Sequence, residues 1–309
     1  MRIKIYGTES LGVRGLSCLV ETQNRKVFID PGLALGFRRH GLEPHPVQIG
    51  VGERVRLEIL DALKECTDIV FSHFHGDHVP LVHANPYQLA AQQAAPLFKK
   101  PHLWCKSTHD ISGAMARRFN GLSELLGRTP MVAEGKKEGA LSFSLPVPHG
   151  EARSRLGTVM MTRIEDEGSV FVHASDSQLV ESETVSQILE WHPDIVFVSG
   201  PPVYLQNLAS SAIKAALHNA EHLAQGVELL IVDHHLLRCE EGYRFLDDLG
   251  SVSGQRVICA ADYMGKQRLP LEAWRRRLYG EMPVPVGWHR DYAKGKVGTG
   301  CYKNWEAEK

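Results

Sequence analysis

The chain has 309 residues, of which 43% are hydrophobic and 23% are charged, and its formal net charge is −1. This composition is ordinary for a soluble globular protein and leaves room for a large core. A near-neutral charge gives no global electrostatic footprint for nucleic acid, which argues against a nuclease without excluding one.

The first half of the chain alternates predicted strands and helices. Residues 16–20 and 26–30 read as two strands that lead into Pro31-Gly32. Apolar residues recur at helical spacing over 53–65, and a short buried strand follows at 69–71. We then expect a short helix within 83–100 and a helix that Ser107 caps and that runs to about Arg128.

The second half continues the alternation and defines the fold class. Its predicted elements are strands over 141–147, 158–164 and 169–173, a helix over 184–191, a strand over 194–199, a helix from about Asn207 to Gln225, a strand over 228–233, a helix near 241–248, a strand over 256–260 and a basic helix over 269–279. Strands followed by helices in each half predict an α/β architecture, an αββα sandwich of two mixed sheets packed face to face with helices outside.

We expect one domain over residues 1–309, with pseudo-halves at about 1–150 and 151–309. Two segments, about 33–52 and 79–102, look like loop insertions beside the predicted strand ends. Loops carry function but also vary freely. Both insertions are therefore candidates for lids or substrate walls, and plain surface loops are the alternative.

Four candidate metal ligands occur within six residues directly after the predicted strand at 69–71. His73 and His75 are two residues apart, so their side chains point to the same side of an extended chain. Gly76 then allows a tight turn, after which Asp77 and His78 face a second point in space. The spacing predicts two adjacent metal positions. Imidazole and carboxylate without cysteine suit zinc, and also iron or manganese.

This segment resembles the His-x-His-x-Asp-His signature of the metallo-β-lactamase superfamily. The other features of that family follow in order at predicted strand ends, namely Asp30-Pro31-Gly32, His149, Asp176 and Asp233-His234-His235. The resemblance spans about residues 1–265. More narrowly, residues 10–14, 200–205 and 233–238 are similar to an uncharacterised, archaeal-type branch of predicted metal-dependent hydrolases, which supplies no substrate.

The resemblance implies two divalent ions, with zinc favoured over iron and manganese. By family roles, one metal would be held by His73, His75 and His149, the other by Asp77, His78 and His234, with Asp176 bridging. Asp77 and Asp176 are the residues assigned to catalysis. His235 is the alternative to His234, because neighbouring side chains on a strand point opposite ways. We favour His234, since a related RNA-processing branch has its last histidine four residues before an arginine, as His234 stands to Arg238.

Four further residues are candidates for supporting roles. Asp30 is expected to orient a ligating histidine, since such histidines usually donate their other N–H to a carboxylate or carbonyl. Arg14 could clamp an anionic substrate group, with a solvated surface arginine as the alternative. His173 could face the site, although a buried structural histidine is the favoured interpretation. Tyr204 is a candidate pocket wall or hydrogen-bond donor.

These features together predict a metal-dependent hydrolase. A metal-bound hydroxide would attack an ester, thioester, lactone, amide or phosphodiester. The alternatives are an RNA or DNA phosphodiesterase, like the RNA-processing branch, and an iron-dependent sulfur dioxygenase. The charge favours a small-molecule substrate over nucleic acid, and we expect no membrane partner.

The cysteines bear on the compartment. All six are scattered, with no Cys-x-x-Cys pair, and the start of the chain lacks a signal-peptide core. In a chain of this size the pattern predicts reduced thiols in a cytoplasmic protein.

Overall fold

Two β-sheets pack face to face, and helices cover their outer faces. The computed structural model of the chain describes residues 1–152, 154–205, 210–252 and 256–302. None of the helices within these ranges is long and apolar enough to cross a membrane.

The first sheet has six strands, ordered in space as they are in the chain. They are β1 Arg2–Gly7, β2 Ser17–Glu21, β3 Lys26–Ile29, β4 Asp68–Phe71, β5 His102–Cys105 and β6 Met131–Val132. The first three pair antiparallel, whereas β3 to β6 run parallel. Because β3 and β4 are parallel neighbours, their carboxyl ends deliver Asp30 and Ser72 to the same edge.

The second sheet has seven strands in the order β15-β14-β13-β12-β11-β8-β7, and β9 and β10 form a separate pair. The strands are β7 Lys137–Glu138, β8 Leu141–Phe143, β9 Val147–Pro148, β10 Thr158–Val159, β11 Thr162–Asp166, β12 Ser169–His173, β13 Ile195–Val198, β14 Leu229–Val232 and β15 Arg256–Ile258. Strands β12 to β15 are parallel. Their carboxyl ends therefore bring residues 174–176 and 233–235 to one edge.

The helices connect these strands. The α-helices are α1 Pro46–Ala62, α2 Ala91–Ala94, α3 Gly113–Leu126, α4 Ser182–Glu190, α5 Ser210–Gln225, α6 Glu240–Val252, α7 Ala260–Tyr263, α8 Arg275–Glu281 and α9 Trp288–Ala293. Short 3₁₀ turns occupy Glu9–Leu11, Leu63–Glu65, Ala95–Phe98 and Leu236–Arg238.

The core has two parts because strand side chains alternate between faces. Val27 and Ile29 of β3 join a cluster that includes residues of both sheets and of α4 and α5. Phe28, between them, packs instead with α1 residues such as Val55 and Ile59. The layers are thus helix, sheet, sheet and helix, which confirms the predicted αββα sandwich.

Several predicted boundaries differ from the observed ones. Residues 46–52, assigned to a loop insertion, form the first turns of α1, where Pro46 opens the helix and His45 caps it through Val47 N at 3.2 Å. Proline at the first helical position is preorganised for a helix start. Within 79–102, the short α2 and a 3₁₀ turn form, and Leu81 bridges to Ala90.

The cap of α3 and the last predicted helix also need correction. Ser107 does not begin a helix; Ser112 does, because its Oγ accepts from Met115 N at 3.3 Å. The basic helix spans only Arg275–Glu281, since Leu269 N is bonded to the Ser10 carbonyl at 2.8 Å in a non-helical segment. The predicted start of the 207–225 helix, residues 207–209, lies outside the described residues.

Candidate metal centre

Side chains from five separate strand ends meet at one edge of the sandwich. Four groups of residues each place one possible ligand atom per residue within 4.8 Å of one another. The groups are His73, His75, His149 and Asp176; Asp77, His78 and His234; Asp176, His234 and His235; and Asp30, His73 and His78. All seven residues predicted as ligands therefore lie in one cluster, and His235 lies there as well.

The carboxylate of Asp176 is the centre of this cluster. Five imidazole Nε2 atoms surround it: those of His78 (3.1 Å), His149 (3.1 Å), His235 (3.2 Å) and His73 (3.6 Å) face Oδ2, and that of His234 (3.5 Å) faces Oδ1. Four rings converge on one oxygen that offers about two lone pairs. Hydrogen bonding alone does not satisfy that arrangement, whereas cations held between the rings and the carboxylate do.

Charge and burial support the same interpretation. Burial by itself would raise the pKa of Asp176, but His78, His234 and His235 lower it well below its ordinary value. Asp77 behaves alike: burial opposes ionisation, yet a hydrogen bond with His234 and the charge of His78 lower its pKa. Both carboxylates are thus anionic, and anions that are largely removed from water need positive partners.

Unpartnered atoms complete the fit. His78 Nε2 and Asp176 Oδ1 are buried, and neither makes a well-aligned hydrogen bond within the described residues, although His78 Nε2 lies 3.1 Å from Asp176 Oδ2. Burial lowers the pKa of His78, but Asp176 and Asp30 outweigh it and raise that pKa well above the ordinary value, so without a metal this ring would carry the positive charge. A set of imidazoles and carboxylates with no thiolate fits zinc, iron or manganese.

Asp30 fixes the orientation of two of the rings. Its Oδ2 lies 2.9 Å from His78 Nδ1, and its Oδ1 accepts from Ser72 N at 2.8 Å. The Ser72 hydroxyl donates to Asp30 and lies 2.9 Å from His73 Nδ1. With both Nδ1 atoms donating into this network, the Nε2 atoms of His73 and His78 keep their lone pairs for the centre.

Asp233 performs the corresponding task for the late strand. Its Oδ1 accepts from Thr8 Oγ1 at 2.8 Å, Ser10 N at 3.0 Å and His234 N at 2.8 Å. Its Oδ2 accepts from Ala260 N at 3.0 Å. One buried carboxylate thus joins three segments and holds the backbone just before the two candidate histidines.

Backbone strain marks the same edge. Asp30, Ser175 and His234 have φ values of 50°, 52° and 37°, a region that non-glycine residues rarely adopt. The hydrogen bonds of Asp30 and Asp233 offset this strain, and such residues cluster at functional sites.

The two late histidines occupy different places. His234 Nε2 lies 3.5 Å from Asp77 Oδ2, in the group that also contains His78. His235 Nε2 faces the other oxygen of Asp176, Oδ2, and His235 Nδ1 is 3.1 Å from Tyr204 Oη. The placement favours His234 beside Asp77, and it adds His235 as a neighbour that the sequence treated only as an alternative.

Arg238 places its guanidinium against His234 and Asp77. Its Nη2 lies 2.7 Å from His234 Nε2 and 3.7 Å from Asp77 Oδ2. Its Nε donates to Glu9 Oε1 at 3.1 Å, and its Nη1 donates to Tyr204 Oη at 2.9 Å. In the sequence analysis, Arg238 served only to choose between His234 and His235, and Glu9 was not singled out.

The remaining predicted residues have clear positions. Arg14 pairs through two nitrogens with Glu272, so its guanidinium fork is already engaged and is not a free clamp. His173 Nε2 donates to the Leu16 carbonyl at 2.8 Å, and burial lowers its pKa, as expected for a structural histidine. Tyr204 reaches the cluster through His235.

The site is open on one side. His75, Gly76 and Asp77 are partly exposed, whereas His73, His78 and His234 are fully buried. Ser72 and Ser175, whose hydroxyls lie 2.6 Å apart, form the floor and were not predicted. Ser72 stands directly before the histidine segment, which was the signal available for it.

Comparisons with known proteins agree with this fold. The chain is 50% identical over 302 residues to a UPF0282 protein of Methanosarcina mazei, and the aligned region covers 98% of this chain and 99% of the relative. It is 36% identical to UPF0282 protein MK0213 of Methanopyrus kandleri (91% and 100% covered) and 33% identical to a UPF0282 protein of Thermococcus onnurineus (92% and 99% covered). No family model matches the chain.

Two solved structures share the architecture. One is the metallo-β-lactamase fold protein YhfI from Bacillus subtilis, with a TM-score of 0.53 and 13% identity, and the match covers 86% of this chain and 97% of that chain. The other is isothiocyanate hydrolase from Delia radicum gut bacteria, with a TM-score of 0.53 and 13% identity, and the match covers 84% of this chain and 95% of that chain. At this identity the likeness shows the fold alone. The predicted metallo-β-lactamase fold is thereby confirmed.

Proposed function

The chain belongs to the UPF0282 family of archaeal proteins, and we propose that it is a metal-dependent hydrolase with a dinuclear centre. The single observation that carries the proposal is the convergence of five imidazole Nε2 atoms on the carboxylate of Asp176. Two of the four groups, His73, His75, His149 and Asp176 on the one hand and Asp77, His78 and His234 on the other, share no residue, which supports a site for two ions.

The proposed division of ligands follows the two groups. His73, His75 and His149 would hold one ion, with Asp176 beside them, and Asp77, His78 and His234 would hold the other. A bound pair of divalent ions supplies an activated water molecule as nucleophile and a Lewis acid for the substrate oxygen.

Arg238 sets a condition on the second position. The lone pair of His234 Nε2 cannot accept a hydrogen bond from Arg238 and bind an ion at the same time. The 2.7 Å contact must therefore open when that position fills. Glu9 and Tyr204 already accept from other nitrogens of this guanidinium, so small rotations keep it partnered.

The chain's own residues supply the remaining requirements. The partly exposed segment 75–77 gives substrate an approach, and the buried side of the cluster excludes water. Arg238 and the Tyr204 hydroxyl are the donors nearest to His234 and His235, and they are placed to stabilise negative charge that develops on the substrate. Zinc is the proposed metal, with iron and manganese as alternatives. The other two predicted functions, an RNA or DNA phosphodiesterase and an iron-dependent sulfur dioxygenase, stay predictions.

The experiment is hydrolysis of generic ester, thioester, lactone and phosphodiester probes by protein reconstituted separately with zinc, manganese and iron. We expect turnover of at least one probe class, and a loss of about 100-fold or more in Asp77→Ala and His149→Ala. His218→Ala, an exposed histidine on α5, is the matched control and should keep full activity.

Two outcomes would count against the proposal. One is the absence of hydrolysis by every reconstituted form. The other is turnover in a folded Asp77→Ala protein that equals the turnover of His218→Ala.

A further inference from the structure

A cleft of about 880 Å³ lies next to the metal centre. Its walls come from residues 38–40, 203–205, 239–241 and 273–277, segments that are remote in sequence. We call it the arginine cleft after Arg38, Arg39, Arg276 and Arg277, which line it. Tyr204 connects the two sites, because it lines the cleft and its Oη is 3.1 Å from His235 Nδ1.

The arginine cleft carries an excess of positive charge. Glu240 and Glu241 line it too, but Glu241 pairs with Arg244 at 3.1 Å. Arg277 pairs with Glu281 at 2.7 Å, whereas Arg38 and Arg276 are exposed and make no ion pair with any described residue. The pKa of His40 is lowered, mainly by burial. The positive charges of Arg39 and Arg276 lower it further, as expected for a site of positive potential.

Arg39 supplies a second, independent observation. Its Nη2 donates to the Arg238 carbonyl at 3.0 Å, and its guanidinium lies 5.1 Å from the centre of the Tyr204 ring. Its Nε is buried yet has no hydrogen-bond partner among the described residues. A buried N–H without an acceptor is costly, so Arg39 carries an unused donor in a side chain that lines the cleft.

We propose that the arginine cleft binds a phosphate group of an anionic small-molecule substrate. Guanidinium groups match phosphate oxygens in pairs, and several of them suit a dianion better than a monocarboxylate. The volume falls within the range of about 300–1,000 Å³ that is typical of small-molecule sites. That the bound phosphate presents a scissile bond to the metal centre rests on the proposed function; the anion binding itself does not.

The test is isothermal titration calorimetry with phenylphosphonate, a phosphate-ester mimic whose P–C bond resists hydrolysis. We expect the Arg38→Gln/Arg276→Gln double variant to bind at least about tenfold more weakly than wild type. Arg2→Gln, an exposed arginine at the start of β1 that pairs with Glu21 at 3.4 Å, is the control and should stay within about twofold of wild type. Benzoate, the carboxylate with the same ring, should bind more weakly than phenylphosphonate.

Asp77→Ala separates this proposal from the hydrolase proposal. If the anion binds in the arginine cleft, Asp77→Ala should bind phenylphosphonate within about threefold of wild type, whatever its metal content. Three results would overturn the inference: no measurable binding by wild type, equal affinity in the double variant, or benzoate binding as tight as phenylphosphonate. Binding that disappears in Asp77→Ala would assign the anion to the metal centre and would overturn it as well.

Discussion

Asp176 and Asp233 are the two carboxylates that give the site its geometry. Asp176 faces the imidazoles, while Asp233 faces backbone and hydroxyl donors and never points into the cluster. The carboxylate of Asp233 is therefore occupied by donors other than the His234 imidazole, although the two residues are adjacent in sequence. The two late histidines differ in the carboxylates that they face, because His234 lies near both Asp77 and Asp176, whereas His235 faces Asp176.

We predict that His234→Ala retains about one metal ion per chain, whereas His235→Ala retains about two. His234 lies with Asp77 and His78, but among the carboxylates that the structure describes His235 contacts Asp176 alone, and its other nitrogen is hydrogen-bonded to Tyr204. Elemental analysis of both variants, loaded in parallel, checks this. The reverse pattern would transfer the ligand role to His235.

Sequence reasoning located these residues to different degrees. The segment 73–78 was recognisable because four ligands are contiguous. His149 and Asp176 could be placed only by their positions after predicted strands. The partners of Arg14 and Tyr204 could not be predicted, because Glu272 is 258 residues from Arg14 and Arg238 is 34 residues from Tyr204. Periodicity and spacing say nothing about partners that only the fold brings together.

The loop that follows β3 packs closely against the segment that carries the candidate ligands. A Cβ added to Gly32 would lie 2.2 Å from His78 C and from Val79 N. Both are backbone atoms, so the neighbour cannot turn aside as a long side chain would. The loop that follows Asp30 therefore passes directly against the segment that carries His78.

Gly32→Ala should destabilise the protein by about 3 kcal/mol and weaken metal binding, because the β3 loop and residues 78–79 must separate. The matched control is Gly280→Ala on α8, where a new Cβ meets no atom within 4 Å and alanine favours the helix. Urea unfolding and a metal titration of both variants test this. A Gly32→Ala protein as stable as Gly280→Ala would refute the close-contact argument.

Elements were predicted better in type than in extent. The strands over 169–173 and 228–233 were found because buried apolar runs are unambiguous beside turn residues. The start of α1 was missed because Gly50 and Gly52 weaken its helical pattern, whereas in the fold Val47, Ile49 and Val51 of this turn are buried. Tertiary packing thus outweighed local propensity.

Across the molecule, a network of polar and charged side chains joins Glu272, near the C-terminal end of the described residues, to the site. Glu272 pairs with Arg14, Arg14 lies 3.7 Å from Glu9, and Glu9 accepts from Arg238, which reaches His234. The network spans both halves of the chain. Residues after 265, beyond the extent of the family resemblance, are therefore part of the structural support of the centre.

Glu272→Gln should lower the free energy of unfolding by about 3 kcal/mol at pH 7, because it removes the buried carboxylate that pairs with the partly exposed Arg14. Burial raises the pKa of Glu272, but Arg14 outweighs it and lowers that pKa from 4.5 to about 2. A lowered folded-state pKa contributes stability above pH 4.5 that disappears as the pH falls towards 2.

The measurement is urea unfolding of wild type and Glu272→Gln between pH 7 and pH 3. The gap between the two proteins should be constant near neutrality and should narrow below about pH 4.5. Glu138→Gln, an exposed partner of Arg25, serves as control and should follow wild type throughout. A gap that stays constant down to pH 3 would contradict the assigned ion pair.

Elemental analysis of the purified, reconstituted wild-type chain tests the central claim most directly. If the imidazoles around Asp176 exist to hold cations, the protein will retain about two transition-metal ions per chain after extensive dialysis. Retention of one ion would reject the dinuclear centre, and retention of none, after loading with zinc, manganese and iron in turn, would contradict the metal-dependent function.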